Sequence, residues 1–209
     1  PMTICDTIAD AHYGSRPQMA MAFADILNRE AKELVAAGVD VIQFDEPAFN
    51  VFLKDVKDWG IEALHRALDG LECTTAVHIC YGYGIQENID WKKTLGGEWR
   101  QYEEIFPALN ASRVDQVSLE CADSKVPLDL LRLIPDKQLM VGAVAVTADH
   151  VESPEEVAAT LKAAMAHVDS ERVQPCTNCG MTPIPYDVAL AKLRNLGAGA
   201  ELARKRLRA

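Results

Sequence analysis

Four clusters of carboxylate, imidazole and thiol side chains each close or follow a short apolar run: Asp45-Glu46-Pro47, His78-Ile79-Cys80, Glu120-Cys121 and Cys176-Thr177-Asn178-Cys179-Gly180. In an extended strand, residues two apart share a face, so His78 and Cys80 can reach one ion while Ile79 points away. Zinc accepts imidazole nitrogen, thiolate sulfur and carboxylate oxygen, usually four in a tetrahedron. His78, Cys80, Glu120 and one downstream cysteine therefore make a complete set, and Cys176 and Cys179 both qualify by type. Compact structural zinc sites present two close ligand pairs, whereas this chain has a single CxxC, so its dispersed ligands suit catalysis better. Asp45 and Glu46 end an apolar strand, where two acids are costly unless they bind something.

Each residue also has a plainer reading. Singly, His78 is a hydrogen-bonded interior histidine, Cys80 and Cys121 are small buried hydrophobes, and Glu120 is half of an ion pair. The CxxC as a redox pair lacks the helix N-terminus that lowers a thiol pKa, because Pro183 and Pro185 follow closely. Cys5 and Cys73 carry no role. Only the combination of clusters points to one centre.

Positioning these groups requires strands that end near one another. Short apolar runs rich in Val and Ile predict strands at Met2–Cys5, Val39–Asp45, Thr74–Cys80, Gln116–Glu120, Leu139–Val146 and Arg172–Pro175. Between them the spacing predicts helices at Arg16–Ala37, Asp55–Leu68, Gly97–Leu109, Leu128–Leu133 and Ser153–His167. The first of these stops at Gly38, and the last has a serine cap, Pro154 and two acids in its first turn. This alternation is the pattern of parallel β/α units, whose active residues sit at the carboxyl ends of strands. The expected fold is α/β, a TIM (β/α)8 barrel of which the chain holds about six units. Residues 1–209 are read as a single catalytic domain lacking the amino-terminal strands, since the sequence starts at Pro1 and enters a strand-like run at once.

Composition narrows the chemistry. A net charge of −10 and no basic stripe oppose binding to a phosphate backbone, so nucleic acid is excluded as a partner. No apolar stretch reaches the roughly 20 residues a bilayer needs, and no secretory leader is visible, which predicts no membrane association and a cytoplasmic location. Six cysteines in a chain of 209 residues fit metal binding better than a disulfide scaffold.

Taken together, Asp40-Val41-Ile42-Gln43-Phe44-Asp45-Glu46-Pro47-Ala48, His78-Ile79-Cys80-Tyr81, Val117-Ser118-Leu119-Glu120 and Pro175 through Met181 resemble the carboxy-terminal domain of the cobalamin-independent methionine synthase family. The motifs occur in the family's order over nearly the whole chain. The resemblance implies a zinc-dependent methyltransferase that methylates the thiol of homocysteine. Its zinc ligands fall on His78, Cys80, Glu120 and Cys179, the cysteine followed by Gly180. It gives Asp45 the homocysteine ammonium to hold. In a site of two thiolates and one carboxylate, Glu120 is the natural ligand for substrate to displace.

Three features depart from the family pattern. The I-G-S segment that contacts substrate has no counterpart, the region at Asn50-Val51 lacks a further acid, and Thr147 stands where folate-dependent members carry a histidine, with His150 three residues on. A methyl group leaves the nitrogen of a folate only if that nitrogen is protonated, and Thr147 is no general acid. The donor is thus left among methylfolate, a methylcorrinoid and a carrier protein. Alternative functions are methylation of another thiol such as coenzyme M, or a non-catalytic zinc-stabilised domain. Strands missing from a barrel would expose apolar surface, which favours a partner protein or a homo-oligomer.

Overall fold

A computed structural model describes residues 1–82 and 86–208. Its elements, in chain order, are α1 (Ile4–Thr7), α2 (Arg16–Ala36), β1 (Val41–Asp45), α3 (Leu53–Asp55), α4 (Ile61–Ala67), β2 (Thr74–Ile79), α5 (Gln86–Thr94), α6 (Gln101–Asn110), β3 (Gln116–Glu120), β4 (Gln138–Val144), α7 (Pro154–Met165), β5 (Val173–Thr177) and α8 (Tyr186–Arg208). The five strands form one sheet in the order β1-β2-β3-β4-β5. The β1–β2 and β4–β5 pairs are parallel. The β/α reading of the sequence holds in this architecture.

By internal packing the chain divides into two units, Pro1–Ile79 with Gln101–Val117, and Cys80–Arg100 with Ser118–Ala209. In the first, α2 begins at Ser15, whose hydroxyl accepts the Gln18 N–H, and stops before Gly38, whose φ of 98° suits a residue without a side chain. Along β1 the burial alternates: Ile42 and Phe44 are covered, Val41, Gln43 and Asp45 exposed. The β1–β2 register sets Asp45 beside His78.

The strand expected over Met2–Cys5 is instead a helical turn. Glu46 explains the difference: its buried carboxylate accepts the N–H groups of Met2 and Thr3 at 2.8 and 2.7 Å and the Thr3 hydroxyl at 2.6 Å. An anion placed on the free amides of a first turn stabilises that turn over an extended strand. Glu46 is thus tied to backbone, and only Asp45 of the acid pair stays exposed.

In the second unit, α7 carries the expected cap in full. Ser153 Oγ accepts the Glu156 N–H while the Glu156 carboxylate returns to the Ser153 N–H. Leu128–Leu133 is a 3₁₀ segment rather than an α-helix. The 23-residue α8 has no counterpart among the predicted helices. Its fully buried Lys192 donates to Glu152 at 2.7 Å, and the other Glu152 oxygen accepts the Ala145 N–H just past β4. Among the described residues, no helix is long and apolar enough to cross a membrane.

Candidate metal centre

The strand ends deliver the predicted residues as follows. His78 and Cys80 leave the end of β2 on one side of the backbone, as their i, i+2 spacing requires. Glu120 is the last residue of β3, and Cys179 lies in the loop after β5. The sulfurs of Cys80 and Cys179 are 3.5 Å apart. One ligand atom each from His78, Cys80 and Cys179 falls within 4.8 Å of the other two. Among the described residues this is the group of three or more potential ligands close enough to hold one ion.

Two sulfurs on one tetrahedral zinc, at Zn–S distances of about 2.3 Å, lie roughly 3.8 Å apart. The observed separation therefore fits a shared cation with small adjustment. The neighbouring Cys179 thiol, burial, and the nearby Cys179 and Glu120 charges together push the Cys80 thiol far above its ordinary range, against the opposing Gly82 N–H. A divalent cation bound there would oppose this shift, because it favours the thiolate.

Glu120 is buried, and one of its oxygens accepts the Tyr81 N–H at 3.2 Å. The carboxylate therefore already has a backbone partner next to Cys80. Asp45 is exposed at the end of β1, where it accepts Gln43 Nε2 at 2.8 Å.

Cys176 goes elsewhere. Its sulfur is 3.8 Å from the Ser118 hydroxyl. Burial, partly offset by Ser118, pushes its thiol up to about 11. Cys121 is buried, and desolvation raises its thiol too. Neither sulfur joins the cluster of three. Ser118 precedes Glu120 by two residues and shares its buried face, so an apolar-looking strand carries two polar side chains in its interior.

The sequence reading missed the residue that builds the loop. Asn178, between the two cysteines, accepts the N–H groups of Cys121 and Ala122 through Oδ1, both at 3.1 Å, and donates Nδ2 to the Ala122 carbonyl at 2.7 Å. Its own N–H reaches the Val144 carbonyl at 2.8 Å, beyond an irregularity in the β4–β5 register at Gly142–Val144. A bulge of this kind re-aims the chain that follows, as is common beside functional sites. The available signal was Gly142 within an apolar strand, which marks a close backbone approach. A Cβ on Gly142 would stand 2.3 Å from Asn178 Oδ1 and 2.6 Å from the Leu119 carbonyl.

Comparison with known proteins identifies relatives of this chain. Residues 1–202 match the family described as "Cobalamin-independent synthase, Catalytic domain". A methionine synthase of Sulfurisphaera tokodaii is 30% identical over the whole chain, which covers 56% of that protein. The Saccharolobus solfataricus methionine synthase is 31% identical and covered to 58%. The chain thus spans a little over half the length of these curated relatives. A B12-independent methionine synthase structure from Shewanella sp. W3-18-1, in complex with selenomethionine, superposes with a TM-score of 0.96 at 61% identity, covering 99% of this chain and 61% of that one. A putative vitamin-B12 independent methionine synthase from Listeria monocytogenes, 15% identical, has the same fold at a TM-score of 0.60, covering 90% of this chain and 55% of that one.

Proposed function

Because the chain belongs to the family of cobalamin-independent synthase catalytic domains, we propose that it is the catalytic portion of a zinc-dependent methyltransferase that transfers a methyl group to the thiol of homocysteine, giving methionine. The observation that carries this reading is the close approach of His78, Cys80 and Cys179. The fit of their donor types to zinc supports it, as does the selenomethionine held by the Shewanella relative. Selenomethionine has the shape of the product, with selenium in place of sulfur.

In this reading His78, Cys80, Glu120 and Cys179 hold the ion. Zinc bound there would supply the positive charge that keeps an acceptor thiol deprotonated at neutral pH. The residues of the chain do the rest. Cys80 and Cys179 give the site negative charge, which leaves electron density on the incoming sulfur. Glu120, whose carboxylate also accepts the Tyr81 N–H, would be the ligand to give way to substrate, because that bond would keep it from becoming an unpaired buried anion. Asp45 pairs with the substrate ammonium through a charge-assisted hydrogen bond, beside His78 in the β1–β2 register.

Thr147 bears on the donor class. Its hydroxyl does not protonate a tertiary amine at neutral pH, which favours a methylated corrinoid, a carrier protein or a partner-supplied folate over polyglutamylated methylfolate. Residues 1–209 act as one catalytic domain.

Zinc content measured by elemental analysis tests the centre. The expected result is one zinc per chain in the wild type, lost in Cys80→Ser and Cys179→Ser and kept in Cys176→Ser. A folded wild-type chain that cannot be loaded with zinc overturns the mechanism. Appearance of a new sulfur ligand on adding homocysteine, read by X-ray absorption at the zinc edge, separates an open centre from a closed structural one. For the donor, robust methionine formation from methylfolate alone would refute the corrinoid or carrier assignment.

A further inference from the structure

The loop that carries Cys179 and the strand end that carries Glu120 are joined through one side chain. Asn178 is completely buried, and its amide is matched atom by atom. The oxygen faces two donors, Cys121 N–H and Ala122 N–H, and the nitrogen faces an acceptor, the Ala122 carbonyl. A side-chain amide offers both functions on separate atoms, an accepting oxygen and a donating NH₂ group. Its partners are the first and second residues after Glu120, and Asn178 itself immediately precedes Cys179. Its backbone N–H adds the third anchor, on Val144 at the end of β4.

The fit leaves no slack. Gly142 lies under the amide, and even one added carbon there would overlap Asn178 Oδ1 and the Leu119 carbonyl. Asn178 cannot rotate toward Gly142, and withdrawing it would take a partner from the buried Cys121 N–H and from the Ala122 carbonyl, while the Ala122 N–H, which also donates to the Gly142 carbonyl at 2.8 Å, would keep that bond. The backbone on both sides of the amide is therefore held at a fixed separation.

We infer that Asn178 is a positioning residue for the metal centre: it sets the spacing between Glu120 and Cys179 by clamping the two backbone segments on which they stand. This inference rests on the zinc reading of the centre. Outer partners of metal ligands usually orient the ligand side chain itself, and their loss costs about 10- to 100-fold in metal affinity. Here the same control acts one step further back, on the main chain, and governs two ligands at once.

The test compares wild type, Asn178→Ala, Asn178→Asp and Leu161→Ala, the last a buried α7 position away from the centre. Three quantities are read for each: the thermal midpoint, zinc affinity by competition with a chromogenic chelator, and the absorption bands of the cobalt-substituted protein, which report tetrahedral geometry and sulfur ligation. Asn178→Ala and Leu161→Ala both lower the midpoint. Asn178→Ala alone weakens zinc by about 10- to 100-fold and alters the cobalt bands. Asn178→Asp keeps the two acceptor contacts, loses the donor to Ala122, and falls between.

The positioning role is overturned if folded Asn178→Ala binds zinc as tightly as wild type, or if Leu161→Ala weakens zinc equally. Should Asn178→Ala fail to fold, Asn178→Asp with wild-type zinc affinity and cobalt spectrum overturns it as well. A wild type that binds no zinc removes the metal centre itself, and the positioning role with it.

Discussion

Lys192→Met isolates the buried ion pair in the second unit. Lys192 is inaccessible to solvent, its ammonium is 2.7 Å from Glu152, and Glu152 is 7% exposed. Methionine matches the length of the lysine stem, so the packing of α8 survives while the Glu152 carboxylate keeps only the Ala145 N–H at 2.7 Å. Removing one partner of such a pair leaves an uncompensated buried charge and costs about 3–5 kcal/mol. Unfolding entropy near 2.1 cal/mol/K per residue, over 209 residues, amounts to about 0.4 kcal/mol/K, so the thermal midpoint should fall by about 7–11 °C.

Thermal unfolding followed by far-ultraviolet circular dichroism, with urea titration as a second measure, reads this directly. The double variant Lys192→Met, Glu152→Gln removes the stranded charge while retaining an acceptor for Ala145. It should recover part of the loss, with a coupling of about 0.5–3 kcal/mol. A midpoint for Lys192→Met within about 2 °C of wild type would refute the assignment of an energetically coupled buried pair.

Three further outcomes follow from the geometry. Gly142→Ala should cost about 1–3 kcal/mol from overpacking against Asn178 and Leu119, and an unchanged melting curve would contradict the close approach measured there. Ser153→Ala should cost about 1 kcal/mol by removing the α7 cap, and Ser153→Gly only a few tenths; equal melting of all three chains would show that the capping box contributes nothing. Cys176, whose thiol burial pushes up to about 11, stays protonated through the neutral and mildly alkaline range. Its alkylation by iodoacetamide, followed by peptide mass spectrometry, should stay slow from pH 7 to 9 and rise only toward pH 11, whereas a rise centred near pH 8.5 would contradict its burial.

The parallel strands were legible because buried strands with Val- and Ile-rich runs leave a direct pattern in the sequence: Gln116–Glu120 coincides in prediction and structure. Met2–Cys5 has the same apolar look, yet its conformation is decided by Glu46, a residue more than forty positions away, and local pattern carries no record of that contact. Tyr186–Arg208 went unassigned although it forms one continuous helix, and its interior holds Gly197 and Gly199, which depress helix propensity. Gly199 is there because α8 crosses Val157 and Pro154 so closely that a Cβ would meet Val157 at 2.5 Å. At the candidate centre, His78 and Cys80 were readable from residue type and strand position, whereas these left Cys176 and Cys179 open and only the family resemblance pointed to Cys179, the cysteine that the structure brings to the other two. Asn178 was not readable, because its importance lies in three hydrogen bonds to residues more than fifty positions earlier.

The sequential strand order has a consequence for how the molecule is made. Each strand pairs with the one synthesised just before it, so ordering can advance from the amino terminus as the chain emerges, with short loop closures at every stage. The two cysteine sulfurs break that locality, being 99 residues apart. Cys80 is in place after the second strand and waits for the fifth before its partner arrives. A cation that needed both sulfurs would therefore bind last, to a sheet already paired, and would not nucleate the fold.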